Sequence, residues 1–491
     1  MESQLPVALE IESAHNEFSA KRQLSLRKSL IVNTWEGSFA TVFIVLTGGA
    51  FLTGLALHFG ASDFEIGLLA AVPFIAQLAQ LVSAYLVDIT GKRKQITVWS
   101  IGVARQAWLL LVPLPFLTGN WRLSALIAIA VISNIAGMIG TAGWNSWMAD
   151  LVPGRLRGRY FGNRNATIAV VSITATLAGG IVLDYFKAIG APGAGFSIIL
   201  AVGCIFALAA LILLRRLPEK PICPNKNGIN WTLLLEPLKN KAFMHLIWIF
   251  LAWNFAVGIS AAFFAAHMIT NLKMSFFQIS IYACIGALAA VILNRRWGVM
   301  VDHFGSKPVI AFCAFGISLV PLIWWIPRPG HLWILIFEAI YSGALWTGFT
   351  LAAFNIPIAN SPRENRTIYL AMFSVLPGIS FFVSSILGGI LAENWRNIHW
   401  ALGPQTIVNY HILFAISSVL RLSAAFLMLT FHEPREKGLP DMVQFMGDTF
   451  MKRLYASRQF FPWPTKMMPL RIPDVQLARV DMPAVDKKIS P

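Results

Sequence analysis

Ala84-Tyr-Leu-Val-Asp-Ile-Thr-Gly-Lys-Arg-Lys94 closes one long apolar segment and opens the next. The pattern returns 214 positions later as Gly298-Val-Met-Val-Asp-His-Phe-Gly-Ser-Lys307, so that Asp88 answers to Asp302 and Gly91 to Gly305. An acid in the last turn of a helix, a glycine free to take positive φ, and then lysines and arginines describe a tight, charged reversal at a membrane surface. The cations fall near helix C-terminal carbonyls and anionic headgroups, where positive charge is favoured. One such stretch alone reads as an ordinary basic loop, whereas two at matching places point to a chain built in two halves.

The composition agrees with a membrane setting. Of 491 residues, 56% are hydrophobic and only 13% charged, where a soluble protein of this size carries about a quarter charged. A net charge of +16 raises the question of nucleic acid. The basic residues are spread between apolar runs of membrane-spanning length, which fits the positive-inside rule and not a binding patch. Cys204, Cys223, Cys284 and Cys313 form no metal-ligand spacing and read as structural thiols. The first 28 residues carry Glu2, Glu10, Glu12 and Glu17 ahead of the basic pairs Lys21-Arg22 and Arg27-Lys28, the reverse of a cleaved signal, and read as a cytosolic tail.

Apolar windows set against breakers predict twelve spans, at about 30–58, 64–88, 95–118, 122–150, 160–186, 193–214, 243–271, 276–302, 306–326, 331–360, 366–392 and 406–431. Only Arg122, Lys187, Lys273, Arg328 and Arg396 fall on the side away from the N-terminus, and Arg105 and Arg421 lie within spans. Every other Lys and Arg lies on the N-terminal side, so both termini are expected in the cytosol. One gap is long and carries Pro218, Pro221, Pro224 and Pro237. The expected division is therefore a tail at 1–28, six spans at 29–214, a linker at 215–242, six more spans at 243–432, and a tail at 433–491. Within the linker, Trp231 to Pro237 is expected as an amphipathic turn on the membrane surface. The last tail is expected to open with a surface helix over Asp441–Phe461 and to become disordered from Pro462.

The repeat extends beyond the opening motif. Trp144-Asn-Ser-Trp-Met-Ala-Asp-Leu-Val-Pro153, continued by Arg157-Gly-Arg-Tyr160, has a counterpart in Asn355-Ile-Pro-Ile-Ala-Asn-Ser-Pro362, continued by Arg366-Thr-Ile-Tyr369. Gly179-Gly180 matches Gly388-Gly389, and His58 matches His267, both at an offset of 209. Six spans repeated after about 210 residues is the pattern of a two-bundle secondary transporter.

Over residues 29–432 the chain resembles the major facilitator superfamily, whose loop motif G-x-L-x-D-R-x-G-R-K/R is met by Leu86, Asp88, Gly91, Lys92 and Arg93, with Ala84 and Ile89 as departures. The resemblance implies an all-α integral membrane fold of twelve transmembrane helices in two pseudo-symmetric six-helix bundles. It implies a cytosolic charge network that holds the outward-facing state and breaks as the bundles rock. Asp88, Arg93, Asp150, Arg157 and Arg159 would be its members in the first half, and Asp302, Lys307, Arg363 and Arg366 in the second, with Gly91, Lys92 and Gly305 completing the gating loops. It also implies that spans 1, 4, 7 and 10 line a central cavity.

The polar residues of those spans are the candidate site. Asn134, Thr141 and Asn145 share one face of span 4, and such a stripe must face protein or water. Cavity lining and interhelical bonding are both open for it. Glu36 in span 1, on one face with Thr47, is a candidate for proton coupling, with snorkelling to the cytosolic surface as the alternative. Glu338 in span 10, near Tyr341, Ser342 and Trp346, is the leading coupling residue, with Arg421 as its partner if its role is structural. Trp253, Asn254 and Trp144 form either an aromatic clamp or interfacial anchors. Arg105 and Arg421 read as structural pairs, and Arg295 and Arg296 as a candidate anion attractor at the inner mouth.

The reading is a secondary active transporter, proton-coupled, moving a small solute by alternating access in the plasma membrane. The chain is expected to act as a monomer among membrane lipids, with no cofactor, metal or nucleic acid. Span 5 lacks the Gly-Pro pair usual in drug antiporters. The competing reading is a non-transporting sensor or assembly factor acting through the tail. No GxSxG, HExxH or Walker loop supports an enzyme.

Overall fold

Backbone N–H and C=O groups have no water to bond in a hydrocarbon layer, so the apolar runs must satisfy them internally. The computed structural model, which describes residues 5–219, 236–362, 366–402, 405–431, 433 and 438–456, resolves those runs as helices. Among the described residues twelve helical segments are long and apolar enough to cross a membrane. They are span 1 (Leu26–His58), span 2 (Asp63–Thr90), span 3 (Arg93–Phe116), span 4 (Trp121–Leu151), span 5 (Leu156–Ala188), span 6 (Pro192–Arg216), span 7 (Lys241–Thr270), span 8 (Phe276–Phe304), span 9 (Ser306–Ile323), span 10 (Ile334–Ala359), span 11 (Ile368–Asn394) and span 12 (Asn409–Leu427). The face where odd-numbered spans begin is called the terminal face, and the opposite one the distal face.

Three local features depart from twelve plain rods. The helix of span 1 begins at Leu5 and runs to Leu46, so the expected tail is helical from there on, with no glycine or proline between Ala8 and Thr34 to stop it. Span 1 breaks before a second helix, Gly49–His58, with Gly49 at φ +52°, and span 7 breaks between Lys241–Ala261 and Phe263–Thr270. Spans 11 and 12 are joined by an unforeseen hairpin, β1 (His399–Leu402) against β2 (Gln405–Val408), with His399 opposite Val408. Gly91 at φ +65° and Gly305 at φ +94° close spans 2 and 8, donating to Val87 and Val301, which is the reversal the opening motif requires.

Met1–Met442 group as one compact unit and Val443–Pro491 as another. The main apolar core of the first six spans gathers Phe43, Leu55, Leu111, Leu126 and Leu200, and that of the last six Phe263, Trp324, Leu335, Leu413 and Phe414. The two sets of spans pack along seams of span 2 with span 11 and span 5 with span 8. The turn expected at Trp231–Pro237 is described only for the short helix Glu236–Lys239. Arg363, most of the linker, and the region from residue 457 on lie outside the described residues, and within the stretch expected as a surface helix a helix runs over Leu439–Ala456.

Candidate functional site

The break in span 1 opens on a cavity of about 630 Å³. Phe43, Thr47, Gly48, Gly49 and Thr53 line it from span 1, Ser133 and Asn134 from span 4, Ala261, Ala262 and Phe264 from the break in span 7, and Ile279 and Tyr282 from span 8. Among the described residues that line it there is no carboxylate or cation, and most of the wall is apolar. Trp108 donates to Ser133 at 2.8 Å, and Ser133 donates to the Ala104 carbonyl at 2.7 Å, which fixes one polar corner.

The structure brings some of the sequence candidates to this cavity and leaves others away from it. Asn134 lines it, bonded to the Ala130 carbonyl at 2.8 Å. Thr141 and Asn145 continue the same helix face toward the terminal side and are exposed, Thr141 donating to Gly137. Glu338 is 2% exposed and accepts a 2.6 Å hydrogen bond from Tyr282, so it stands one side chain behind the wall. The partner suggested for it, Arg421, is elsewhere: that guanidinium donates to Ser260 at 3.1 Å. Tyr341 donates to the Gly316 carbonyl, and Asn254 to Phe250 of its own helix.

Glu36 does not snorkel. It is 2% exposed, accepts from both terminal nitrogens of Arg105 at 3.2 and 3.1 Å, and has Arg164 at 3.8 Å. Gly37 leaves the room Arg164 occupies. The aromatic clamp is not formed. Trp253 stacks on Phe349 at 4.6 Å, with Trp346 packed 6.2 Å away, while Trp144 carries the Arg164 guanidinium 5.0 Å above its ring. These rings are committed to packing within their own halves.

At the terminal face Arg93 is 1% exposed and donates to Asp150 at 2.7 Å and Ser146 at 3.0 Å. Lys92 precedes it, exposed. Asp88, Arg159 and Asp302 are exposed with no ion pair among the described residues, and Arg157 donates to the Ala149 carbonyl. Arg366 is half-buried, while Arg295 and Arg296 are exposed. A matched pair of acids was missed. Glu219 accepts from the Lys94 backbone N–H at 2.9 Å, and Glu433 from the Lys307 N–H at 2.6 Å. Each acid sits just past the last span of its half and caps the first turn of the third, a position the 214-residue offset would have revealed.

The description Major Facilitator Superfamily matches residues 37–294 and 254–468, well over half of the chain. The chain belongs to the Major Facilitator Superfamily. Among superfamily relatives, the minor myo-inositol transporter of Bacillus subtilis is 26% identical over 412 residues, covering 75% of this chain and 82% of its own. A multi-drug resistance efflux pump of Streptococcus pneumoniae is 25% identical over 195 residues, covering 36% of this chain and 42% of its own. The crystal structure of a nucleoside transporter superposes with a TM-score of 0.64 at 15% identity, covering 82% of this chain and all of its own. That of a D-xylose-proton symporter gives 0.61 at 15%, covering 83% and 97%. These proteins are transporters, not enzymes, and the superfamily fold places this chain across a membrane as a twelve-span protein.

Proposed function

We propose that this chain is a secondary active transporter that carries a small, uncharged solute by alternating access. One observation carries the reading: a cavity of about 630 Å³ sits between the two halves, at the breaks of spans 1 and 7, lined by neutral side chains. An ion in such a wall would lose its hydration with nothing to replace it. A neutral solute needs only the few hydroxyl, amide and indole groups present, with Phe43 and Phe264 offering flat apolar contact. The relative named for myo-inositol transport supports the neutral class.

Proton coupling is assigned to Glu338. A carboxyl behind the wall, tied to the lining Tyr282, can respond to what occupies the cavity, and intramembrane acids are expensive unless used. Glu36, held between two arginines, has instead the surroundings of a charge pair that braces spans 1, 3 and 5. With the basic terminal face placed in the cytosol, exposure of Asp88, Asp302 and Arg159 there, together with seams packed at the distal face, corresponds to an inward-facing state. In that state the charge network expected at the terminal face would be released across the halves.

Proteoliposomes containing the purified chain test this. Labelled polyols, pentoses and nucleosides are expected to accumulate against their gradient when a pH gradient is imposed, and charged analogues of equal size are not. Absence of flux for every neutral solute would favour the sensor reading.

A further inference from the structure

The distal seams carry a feature that neither the loop motif nor the cavity uses. Span 5 reads Gly179-Gly180-Ile-Val-Leu-Asp184 and span 11 reads Gly388-Gly389-Ile-Leu-Ala-Glu393, the same pattern at an offset of 209. In the structure each acid crosses to the opposite half. Asp184 accepts from the backbone N–H groups of Phe276 and Phe277, both at 2.8 Å, at the first turn of span 8. Glu393 accepts from the Asp63 N–H at 2.9 Å, at the first turn of span 2.

The glycines make these contacts possible. A side chain at Gly180 would run into the Phe276 carbonyl and the Ser280 hydroxyl, and one at Gly389 into the backbone of Asp63 and Phe64. The two receiving helix starts are matched as well. Each is a capping box, Ser62 with Glu65 and Ser275 with Gln278, so the third-position N–H is already satisfied from within. The N–H groups left over at the first turn are those the opposite half takes up. A carboxylate there also meets the positive end of the helix.

We propose that Asp184 and Glu393 are twin latches that hold the distal face closed, and that both must let go of the opposite half's helix start for that face to open. The proposal builds on the alternating-access reading and assigns gating to residues outside the loop motif. Around Asp184 the bonds Ser280 to the Thr176 carbonyl at 2.9 Å and Cys284 to the Ile173 carbonyl at 3.9 Å continue the seam. Around Glu393 lie Arg396 at 3.5 Å, and Asp63, which itself accepts from Asn409 at 3.0 Å and Tyr410 at 2.5 Å. Among the described residues Asp184 has no such reinforcement from a second acid, so the span 5 latch is the one whose loss acts more cleanly.

The test is cysteine accessibility in the full-length chain. Thr53→Cys places a thiol in the cavity wall, and a membrane-impermeant maleimide applied from the distal side reads its exposure against the unsubstituted chain. Asp184→Asn and Glu393→Gln are each expected to raise the distal labelling rate several-fold, the double variant to raise it further, and Asp184→Glu to restore most of the closed behaviour. Unchanged labelling in folded variants overturns the proposal. Failure of both single variants to fold also overturns it, because a bond made in one state only cannot be required for folding. Flux of the unsubstituted chain is read in parallel. Transport with unmoved labelling removes the latch alone, and absence of transport removes the reading beneath it.

Discussion

A carboxyl one hydrogen bond behind a cavity wall is connected to that cavity without touching what enters it. Tyr282 is the connection: its hydroxyl donates to Glu338, and its ring lines the cavity. Glu338→Gln is expected to abolish accumulation driven by a pH gradient while leaving solute exchange intact, measured by uptake and counterflow in proteoliposomes. Normal gradient-driven uptake would remove Glu338 from coupling. The Glu36 cluster behaves differently, because two guanidiniums depend on one carboxylate. Glu36→Gln leaves the partly buried Arg105 and Arg164 without their counter-charge and is expected to cost up to about 3 kcal/mol, seen as a lower thermal midpoint, with part recovered on adding Arg105→Leu. That Glu338 would be buried within the protein was legible, because an acid in an apolar run is costly against lipid. Tyr282 was not, since a tyrosine among Phe276, Phe277 and Ile281 looks the same whether it packs or lines a cavity. The pairing of Glu36 with Arg105 was half legible: both charges stood out, but residues 69 apart are brought together only by packing.

Helices here are shaped by where small residues and breakers fall. Gly49 holds φ +52° with nothing crowding it, and an alanine there would carry roughly 1–2 kcal/mol of backbone strain at the joint that forms the cavity. Gly67 faces a harder limit. An added Cβ would stand 2.6 Å from the Ser385 carbonyl, and overpacking of this kind costs about 1–3 kcal/mol. Gly67→Ala is therefore expected to wedge the span 2 to span 11 seam and shift the population toward states open at the distal face, checked by the same maleimide labelling. No change in labelling would mean the seam yields elsewhere. Span existence and the Gly91 and Gly305 turns were readable, since apolar length and a glycine after an acid are local signals. The breaks in spans 1 and 7 were not predicted, because small residues such as Gly48 and Gly49 within an apolar run also serve close packing in continuous membrane helices. The hairpin before span 12 escaped because its strands are only four residues each.

For the molecule as a whole, transport requires two arrangements of similar energy joined by rearranging a few contacts. The present arrangement joins the halves through distal seams and leaves Asp88 and Asp302 exposed at the other face. Asp88→Asn is expected to bias the chain further toward this arrangement by weakening the one opposed to it, read as slower distal labelling at Thr53→Cys. Removing residues 457–491 is expected to leave flux unchanged, and its loss would return weight to action through the tail. Twelve apolar runs, the asymmetry of lysine and arginine, and a repeat at 209–214 residues settle class, span number and two-half construction from the chain itself. They can do so because hydrophobic length, side-chain charge and internal repetition are properties of a linear string. Which polar groups meet was decided only by tertiary structure. Asn134 reached the cavity while Asn254 bonded its own helix, Trp253 turned to Phe349, and Asp184 reached the opposite half, because in an apolar solvent each polar atom takes the nearest partner that packing offers.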